Sequence, residues 1–572
     1  MFGRSLSSSL LAATITIAPA LGAQEREAMA RLGVQNASVQ SLAIPATLPG
    51  VFEVAVVLDG VPRILDIVPY DVRDAGHRVL VDDGVSLSVA PKLPSITYRG
   101  SVRGTTNSFV AASWLDGSLE AHIRIDSNSN ATGRYFVIEP LTRVLPATAR
   151  SRAAHVVYAS ADNLPRNRSC GVTTPPIADV GQGSRTVRPQ ATVLAQLACD
   201  ADFEFYKLSG SSATTTAQRI ATLVNAVDAI FKQDIDVTIK IATTIVRTTS
   251  TYTSIDPRML VTEVQKQWNT SHGNIQRDLV HAFSGKVSTN GILGYGILGS
   301  VCTLSDAYSV SMPTDTNASR NVGLIAHELG HNFDALHCDA ETSCNLMCSR
   351  LGGCSANLAT FAASSKATMI KFRDTRTCLD SATPPQLTSV TPTSLSPFAG
   401  PTITVVGQRL RSVQEVVIGA QRIDVSTTAK SDTTFSFRLP PPPALGTFGM
   451  TVVSPAGPSN AIQVTLRASQ PPELAVAGFV LSGFPLLFEF AGRERATWIL
   501  LVAPSSSTFR FGSYDILQNF VPLAAGPLDA AGLGNFTATI PQGVRGMIWS
   551  QIVTDNGGRF DAASAIRTTS IF

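Results

Sequence analysis

Residues 327 to 337 read His-Glu-Leu-Gly-His-Asn-Phe-Asp-Ala-Leu-His, which places three of the chain's eight histidines in eleven residues with a glutamate beside the first. Side chains that must meet at one metal ion dictate the backbone that carries them, so no other stretch constrains the fold as tightly. Histidines at i and i+4 share one face of an α-helix, so His327 and His331 converge if this run is helical. Ser319 is a candidate cap, and Val322, Ile325, Ala326 and Leu329 supply an apolar stripe at helical spacing. His337 lies too far round to join them on a straight helix, so the chain has to turn near Asp334. Three neutral imidazoles leave one position of a tetrahedral zinc open to water, the arrangement of a catalytic site. Glu328, one residue along from His327, is placed to act as the general base. A bare His-Glu-x-x-His also occurs on helices that bind no metal. The third histidine and a methionine ten residues after it count against that reading.

That methionine lies in Cys344-Asn-Leu-Met-Cys348. A His-Glu-x-x-His helix, a third histidine and a following methionine turn resemble the metzincin proteases, and His-Glu-Leu-Gly-His-Asn-Phe resembles their adamalysin/reprolysin branch. The resemblance implies an α/β catalytic domain with a mostly parallel twisted sheet, an antiparallel edge strand and an active-site helix. It further implies one catalytic Zn2+ on His327, His331 and His337, Glu328 as base, and Met347 as a support beneath the metal. The implied substrate is a protein or peptide cut internally. A structural Ca2+ is compatible with the resemblance, with no ligands assigned. The sequence departs from the family at Asp334, where glycine is usual; aspartate tolerates the left-handed conformation such a turn needs. Asp339 is displaced by one residue, because Cys338 intervenes after His337. Upstream, Gly291 to Cys302 resembles the family's edge strand, with Gly294, Tyr295, Gly296, Ile297 and Leu298 facing an extended substrate that adds itself as another strand. The alternative is a glycine-rich core strand.

At 572 residues the chain is too long for one core and implies a multidomain protein. Charged residues are 15% of it, below the usual ~25%, and the net charge of +3 is spread without a basic cluster. No nucleic-acid partner is expected. Residues 1–23 read as a secretory signal peptide, with Arg4, an apolar run from Leu10 to Ala20 and small residues before Gln24. This implies a secreted, extracellular protein. No membrane span is expected, because Leu474 to Phe488 falls short of the roughly 20 apolar residues required and is interrupted by Gly478, Gly483 and Pro485. It reads as strands joined by a turn.

Residues 24–190 alternate like β-strands, and Tyr98 to Gly104 with Tyr135 to Leu141 resembles a reprolysin propeptide. Arg185 and Arg188 are candidate cleavage points. The catalytic domain is expected at 191–380. It opens with a half-buried strand whose inward side is Val193, Ala195, Leu197, Cys199, Ala201, Phe203 and Phe205, and whose outward side is Gln196, Asp200, Asp202 and Glu204. A helix through Ile220, Leu223, Val224, Val227, Ile230 and Phe231 follows, then a strand at Val237 to Ile241. A second helix is capped by Asp256 with Pro257 at its first position. Glu263 and Asp278 read as solvated charges, and His77, His122, His155, His272 and His281 as residues without a catalytic role. Residues 384–467 resemble an IPT/TIG immunoglobulin-like module. Residues 471–572 form a further β-rich domain of unassigned role, and a surface or matrix ligand is the expectation for both.

All eight cysteines lie between 170 and 378, so disulfides are expected in an exported chain. Cys170-Gly-Val172 resembles the cysteine switch of metzincin propeptides, in which a thiolate fills the open zinc position. The competing reading is a Cys170–Cys199 disulfide. By resemblance Cys302 pairs with Cys378. Cys338, Cys344, Cys348 and Cys354 leave three connectivities open. Two other functional classes compete with a latent protease. One is a catalytically inactive secreted binding protein, which the intact Glu328 and three histidines argue against; the other is a zinc hydrolase of non-peptide amides or esters.

Overall fold

The computed structural model describes residues 21–173 and 192–572, apart from positions 49, 116, 127–132, 150, 351–353, 355–356, 399, 470, 477–478, 512 and 556–558. Residues 1–20 of the expected signal peptide (1–23) and the proposed cleavage points Arg185 and Arg188 lie outside the described residues. Two compact units divide the chain, Met1–Ala382 and Thr383–Phe572. Among the described residues no helix is long and apolar enough to cross a membrane.

In the first unit the chain begins with α1 (Leu21–Leu32) and β1 (Ser38–Ser41), followed by β2 (Phe52–Leu58), β3 (Val61–Pro69), β4 (Arg73–Asp82) and β5 (Leu87–Val89). The strands β6 (Thr97–Val102), β7 (Ser108–Leu115), β8 (Ser118–Ile125) and β9 (Arg134–Pro140), the turn of helix α2 (Leu141–Val144) and β10 (Ala154–Ala159) come next. All of these strands except β4 and β5 form an antiparallel sheet in the order β1-β10-β9-β8-β7-β6-β3-β2.

A second sheet holds the elements around the histidine motif. Its strands are β11 (Ser169–Cys170), β12 (Val193–Ala201), β13 (Val237–Arg247), β14 (Leu279–Phe283), β15 (Ile292–Gly296), β16 (Tyr308–Ser311) and β17 (Asp380–Ser381). Between and after them lie α3 (Phe203–Leu208), α4 (Ala213–Ile235), α5 (Pro257–Ser271), α6 (Ala318–Asn332) and α7 (Ala363–Arg373). The order is β11-β15-β16-β14-β12-β13-β4-β5, with β17 beside β12. Strands β12, β13, β14 and β16 are parallel to their neighbours in this group, and β15 runs antiparallel to β16. Strands from before and after residue 190 therefore share one sheet: β4 adds in parallel to β13, and β11 adds in parallel to β15.

Strand β12 is not half-buried, and it ends at Ala201: the Asp202 side chain accepts from Phe205 N and starts α3, which takes Phe203 and Phe205 out of the strand. Every residue from Leu194 to Ala201 is buried, because helices cover both faces of a central parallel strand. Its outward-facing Asp200 is an ion-pair hub, accepting from Arg247 Nε at 2.8 Å, Tyr252 OH at 2.8 Å and Trp268 Nε1 at 2.7 Å. Helix α5 starts as its sequence predicts, with the Asp256 carboxylate accepting from Arg258 N and Pro257 in the first turn.

Asp278 is a second correction: it is buried beside β14, not solvated, and accepts from Gln196 N at 2.7 Å. Burial pushes its carboxyl up to about 8, and Asp74, also buried and reached by Gln196 Nε2, up to about 7. A carboxyl whose folded pKa exceeds its unfolded value stabilises the fold fully below ~4, and that contribution is lost as pH rises through the folded value. Thermal melts of the first unit are therefore expected to fall by several degrees between pH 6 and pH 9, and Asp278→Asn to flatten the decline. Parallel pH profiles for the two proteins would contradict this.

The second unit contains two β-rich modules. In the first, a three-stranded and a six-stranded sheet enclose Ile403, Val405, Val416, Met450, Val452 and Val464. In the second, Phe488, Phe490, Trp498, Leu500 and Ile552 fill the core, and Glu473–Val476 and Pro485–Ala491 pair as strands.

Candidate active site

All fifteen residues of α6 are buried, which holds the histidine motif rigidly in the core of the first unit. Its N-cap is Asn317, whose side chain accepts from Arg320 N; Ser319, the cap expected from sequence, instead bonds to Ser160 and Asn163. Asp334 has φ 71, so the chain leaves the helix in the left-handed turn that its position required. This turn returns His337 to the other two histidines.

The three imidazoles meet through their Nε2 atoms. His327 Nε2 lies 3.1 Å from His331 Nε2 and 3.2 Å from His337 Nε2. On the far side of the rings, His327 Nδ1 donates to Leu346 O at 2.6 Å and His331 Nδ1 to Ala335 O at 2.7 Å. With the proton held on Nδ1, both Nε2 atoms present lone pairs to the same point, a contact that is repulsive unless a cation sits between them. Tetrahedral zinc with Zn–N near 2.0–2.1 Å sets adjacent nitrogens about 3.3 Å apart, so the donor set fits that ion. Burial also lowers the pKa of all three rings, that of His327 to about 3, keeping them in the neutral, ligating form.

Met347 is fully buried beneath the site, and its neighbour Leu346 supplies the carbonyl that orients His327. Gly330 makes this packing feasible: a Cβ there would lie 2.8 Å from Met347 Sδ and 3.0 Å from the Phe361 ring. The glycine inside the helical motif was the available signal, since glycine in an amphipathic helix marks a close approach. Just past the methionine, Ser349 donates to Asp339 from its N at 3.0 Å and its Oγ at 2.9 Å.

Glu328 is completely buried, and its Oε1 has no hydrogen-bond partner among the described residues. Burial pushes its carboxyl well above the usual range. Strand β15 crosses directly over it. A Cβ on Gly294 would strike the Glu328 carboxylate and one on Gly296 the Glu328 carbonyl, so two glycines bring a strand edge against Glu328. Of the five residues expected on the edge strand, Gly294, Tyr295 and Gly296 lie in β15, whereas Ile297 and Leu298 follow its end. Ile297 N still donates to Tyr308 O.

The outer edge of β15 is taken by the Cys170 segment. Ser169 N donates to Gly291 O at 3.0 Å and Gly171 N to Gly294 O at 2.9 Å, while Cys170 N reaches across to Ser349 O at 3.0 Å. Cys170 Sγ stands 3.5 Å from His331 Nε2 and 3.4 Å from Glu328 Oε2, and it groups with the three histidines as a fourth donor. Gly171 lets the segment lie flat, because a Cβ there would come within 2.8 Å of Arg258 Cγ and 3.1 Å of Ile292. Cys170 and Cys199 are both free, so they do not pair with each other. The disulfides are Cys302–Cys378, Cys338–Cys344 and Cys348–Cys354.

Residues 192–373 match the family model for metallo-peptidase family M12, and residues 385–467 match that for the IPT/TIG domain. Residues 192–373 are an M12 metallopeptidase domain. Enzymes of this family use zinc, and the histidine cluster just described lies within the metallopeptidase domain. Among solved structures, the chain is similar to metalloproteinase-II from Bacteroides fragilis, at 15% identity over 57% of this chain and 92% of that one, with a TM-score of 0.34. It is also similar to a chaperone–substrate complex, at 9% identity over 32% of this chain and 34% of that one, with a TM-score of 0.25. The five histidines outside the motif are placed elsewhere; His281, for example, is fully buried against Ser309 Oγ and held neutral.

Proposed function

We propose that this chain is a secreted zinc endopeptidase of adamalysin/reprolysin type, made as a latent precursor, with its propeptide in residues 24–190. The observation that carries the reading is the convergence of three Nε2 lone pairs beside a buried glutamate that has an unpartnered oxygen. His327, His331 and His337 would hold the metal. Bound zinc supplies Lewis acidity, polarising the scissile carbonyl and bringing the pKa of water near 7.

The chain's own residues do the rest. The backbone of β15 around Gly294 to Gly296 presents unpaired groups once its edge is vacated, and an extended peptide adds there as a strand. This fixes the scissile bond over Glu328. The carboxylate takes the proton of the attacking water and hands it to the leaving amine, so no covalent enzyme intermediate is required. Met347 supports the histidines from below. Cys170, on a strap that occupies the substrate edge, keeps the precursor silent.

Disulfides in the first unit fit an oxidising, extracellular compartment. The IPT/TIG and terminal modules are read as surface or matrix binders. The test is chelation. Processed protein should digest an unstructured protein substrate, lose that activity with a metal chelator and regain it with stoichiometric zinc. Processed, zinc-loaded protein that cuts nothing would instead support a binding role.

A further inference from the structure

Helix α4 is buried over twelve consecutive residues, Ile220 to Phe231, although one stripe suffices to cover a single sheet. Its second face meets the segment that precedes the metallopeptidase domain, and the match there is polar. The Arg99 guanidinium contacts Asn225 Oδ1 and Asp228 Oδ2, Tyr70 OH donates to Asp228 Oδ2 at 2.8 Å, and Arg124 Nη1 donates to Asp234 Oδ1 at 2.7 Å.

The active-site helix is seated in the same way. Glu139 Oε1 accepts from Ala318 N at 2.8 Å in the first turn of α6. Arg320, itself buried, donates to Leu32 O at 2.6 Å, Gly33 O at 2.7 Å and Leu164 O at 2.8 Å. Strand β4 extends the catalytic sheet beyond β13, from Ile241↔Arg73 to Arg247↔Asp82. One hydrophobic core contains Leu32, Val72 and Val137 together with Val224, Val227 and Ile325. Asp228 and Arg320 lose buried partners if this segment leaves, whereas the strap residues Ser169 to Gly171 are held by three backbone bonds, to Gly291, Gly294 and Ser349, and by the contacts of the Cys170 thiol with His331 and Glu328.

We propose that residues 24–164 are a permanent half of the metallopeptidase body, retained without a covalent link after the chain is cut within 174–191, so that activation requires only the Cys170 strap to move. The strap runs from the exposed stretch 164–168 to residue 173. A cut beyond it frees one end and lets it peel from β15 while the body stays in place. This inference rests on the protease reading only in treating the 24–190 segment as one that is processed.

The test uses the full chain with a recognition sequence for a site-specific protease in place of residues 184–188. After complete cutting, verified on a denaturing gel, both pieces should elute in one peak at the uncut volume under native conditions and melt in one transition. Arg99→Ala with Arg124→Ala should lower the denaturant concentration that separates the pieces of the cut protein more than it lowers the unfolding midpoint of the uncut protein. Separate elution of the two pieces, whatever the state of the remainder, overturns the proposal. Co-elution is read without a substrate, so this failure is distinct from failure of the protease assignment.

Discussion

Glu328→Ala is expected to lower the turnover of processed protein about 10²- to 10⁴-fold, the usual worth of a positioned general base, with zinc content unchanged. The three histidine rings do not depend on Glu328 for their orientation: His327 is set by Leu346 O and His331 by Ala335 O. Nor does the fold depend on it. The carboxylate is fully buried, with one oxygen unpartnered and the other reached by the Cys170 thiol. A polar group left this way destabilises, so the alanine variant should melt no lower than the parent. Turnover, metal content and melting temperature measured together separate the roles. A variant that stays active places the base elsewhere, and one that loses its zinc makes Glu328 part of the metal's support.

The path from residues to site is uneven, and the reason is physical. The helix of the histidine motif, its left-handed exit at Asp334 and the N-cap of α5 are set by spacing and by residues within one or two turns, so they can be read from the chain. The N-cap of α6 could not be chosen that way. Asn317 and Ser319 are both competent caps, and long-range bonds to Ser160 and Asn163 decide between them by engaging Ser319. The half-buried reading of β12 failed for a related cause. Asp200 and Gln196 look like solvent-facing positions until Arg247, Trp268 and Asp74 are brought to them from distant parts of the chain. Asp278 misleads in the same way. Long-range pairing is equally invisible along the chain: nothing in Arg73 to Asp82 announces that its partner strand β13 lies more than 150 residues ahead.

The site itself was more legible than its surroundings, because metal ligation demands particular residue types at particular spacings. What spacing does not reveal is why the glycines are where they are. Gly294 and Gly330 each remove a side chain that would otherwise separate two walls of the site, one from Glu328 and one from Met347. The close approach of β15 to Glu328 is as much a part of the site's geometry as the meeting of the histidines.

Cys170→Ala is expected to raise the activity of the uncut chain at least about tenfold, which corresponds to losing ~1.4 kcal/mol of inhibitory contact. The thiol stands among the three Nε2 atoms and against Glu328, so it occupies both the fourth donor position and the approach to the base. Alanine vacates both. It leaves the backbone bonds from Ser169 N to Gly291 O and from Gly171 N to Gly294 O untouched, so the strap should still compete with substrate for the edge of β15. Activity is therefore expected to stay below that of processed protein, with the difference appearing mainly in KM. Gly171→Val supplies the complement. Its side chain has to displace Arg258 and Ile292, which should lift the strap while the cysteine is retained. If the valine variant is active uncut and Cys170→Ala remains silent, latency resides in the strap's backbone and the thiol is incidental. The opposite pattern assigns latency to the sulfur alone. Silence of both variants before processing, with normal activity after it, would remove the Cys170 segment from the mechanism of latency.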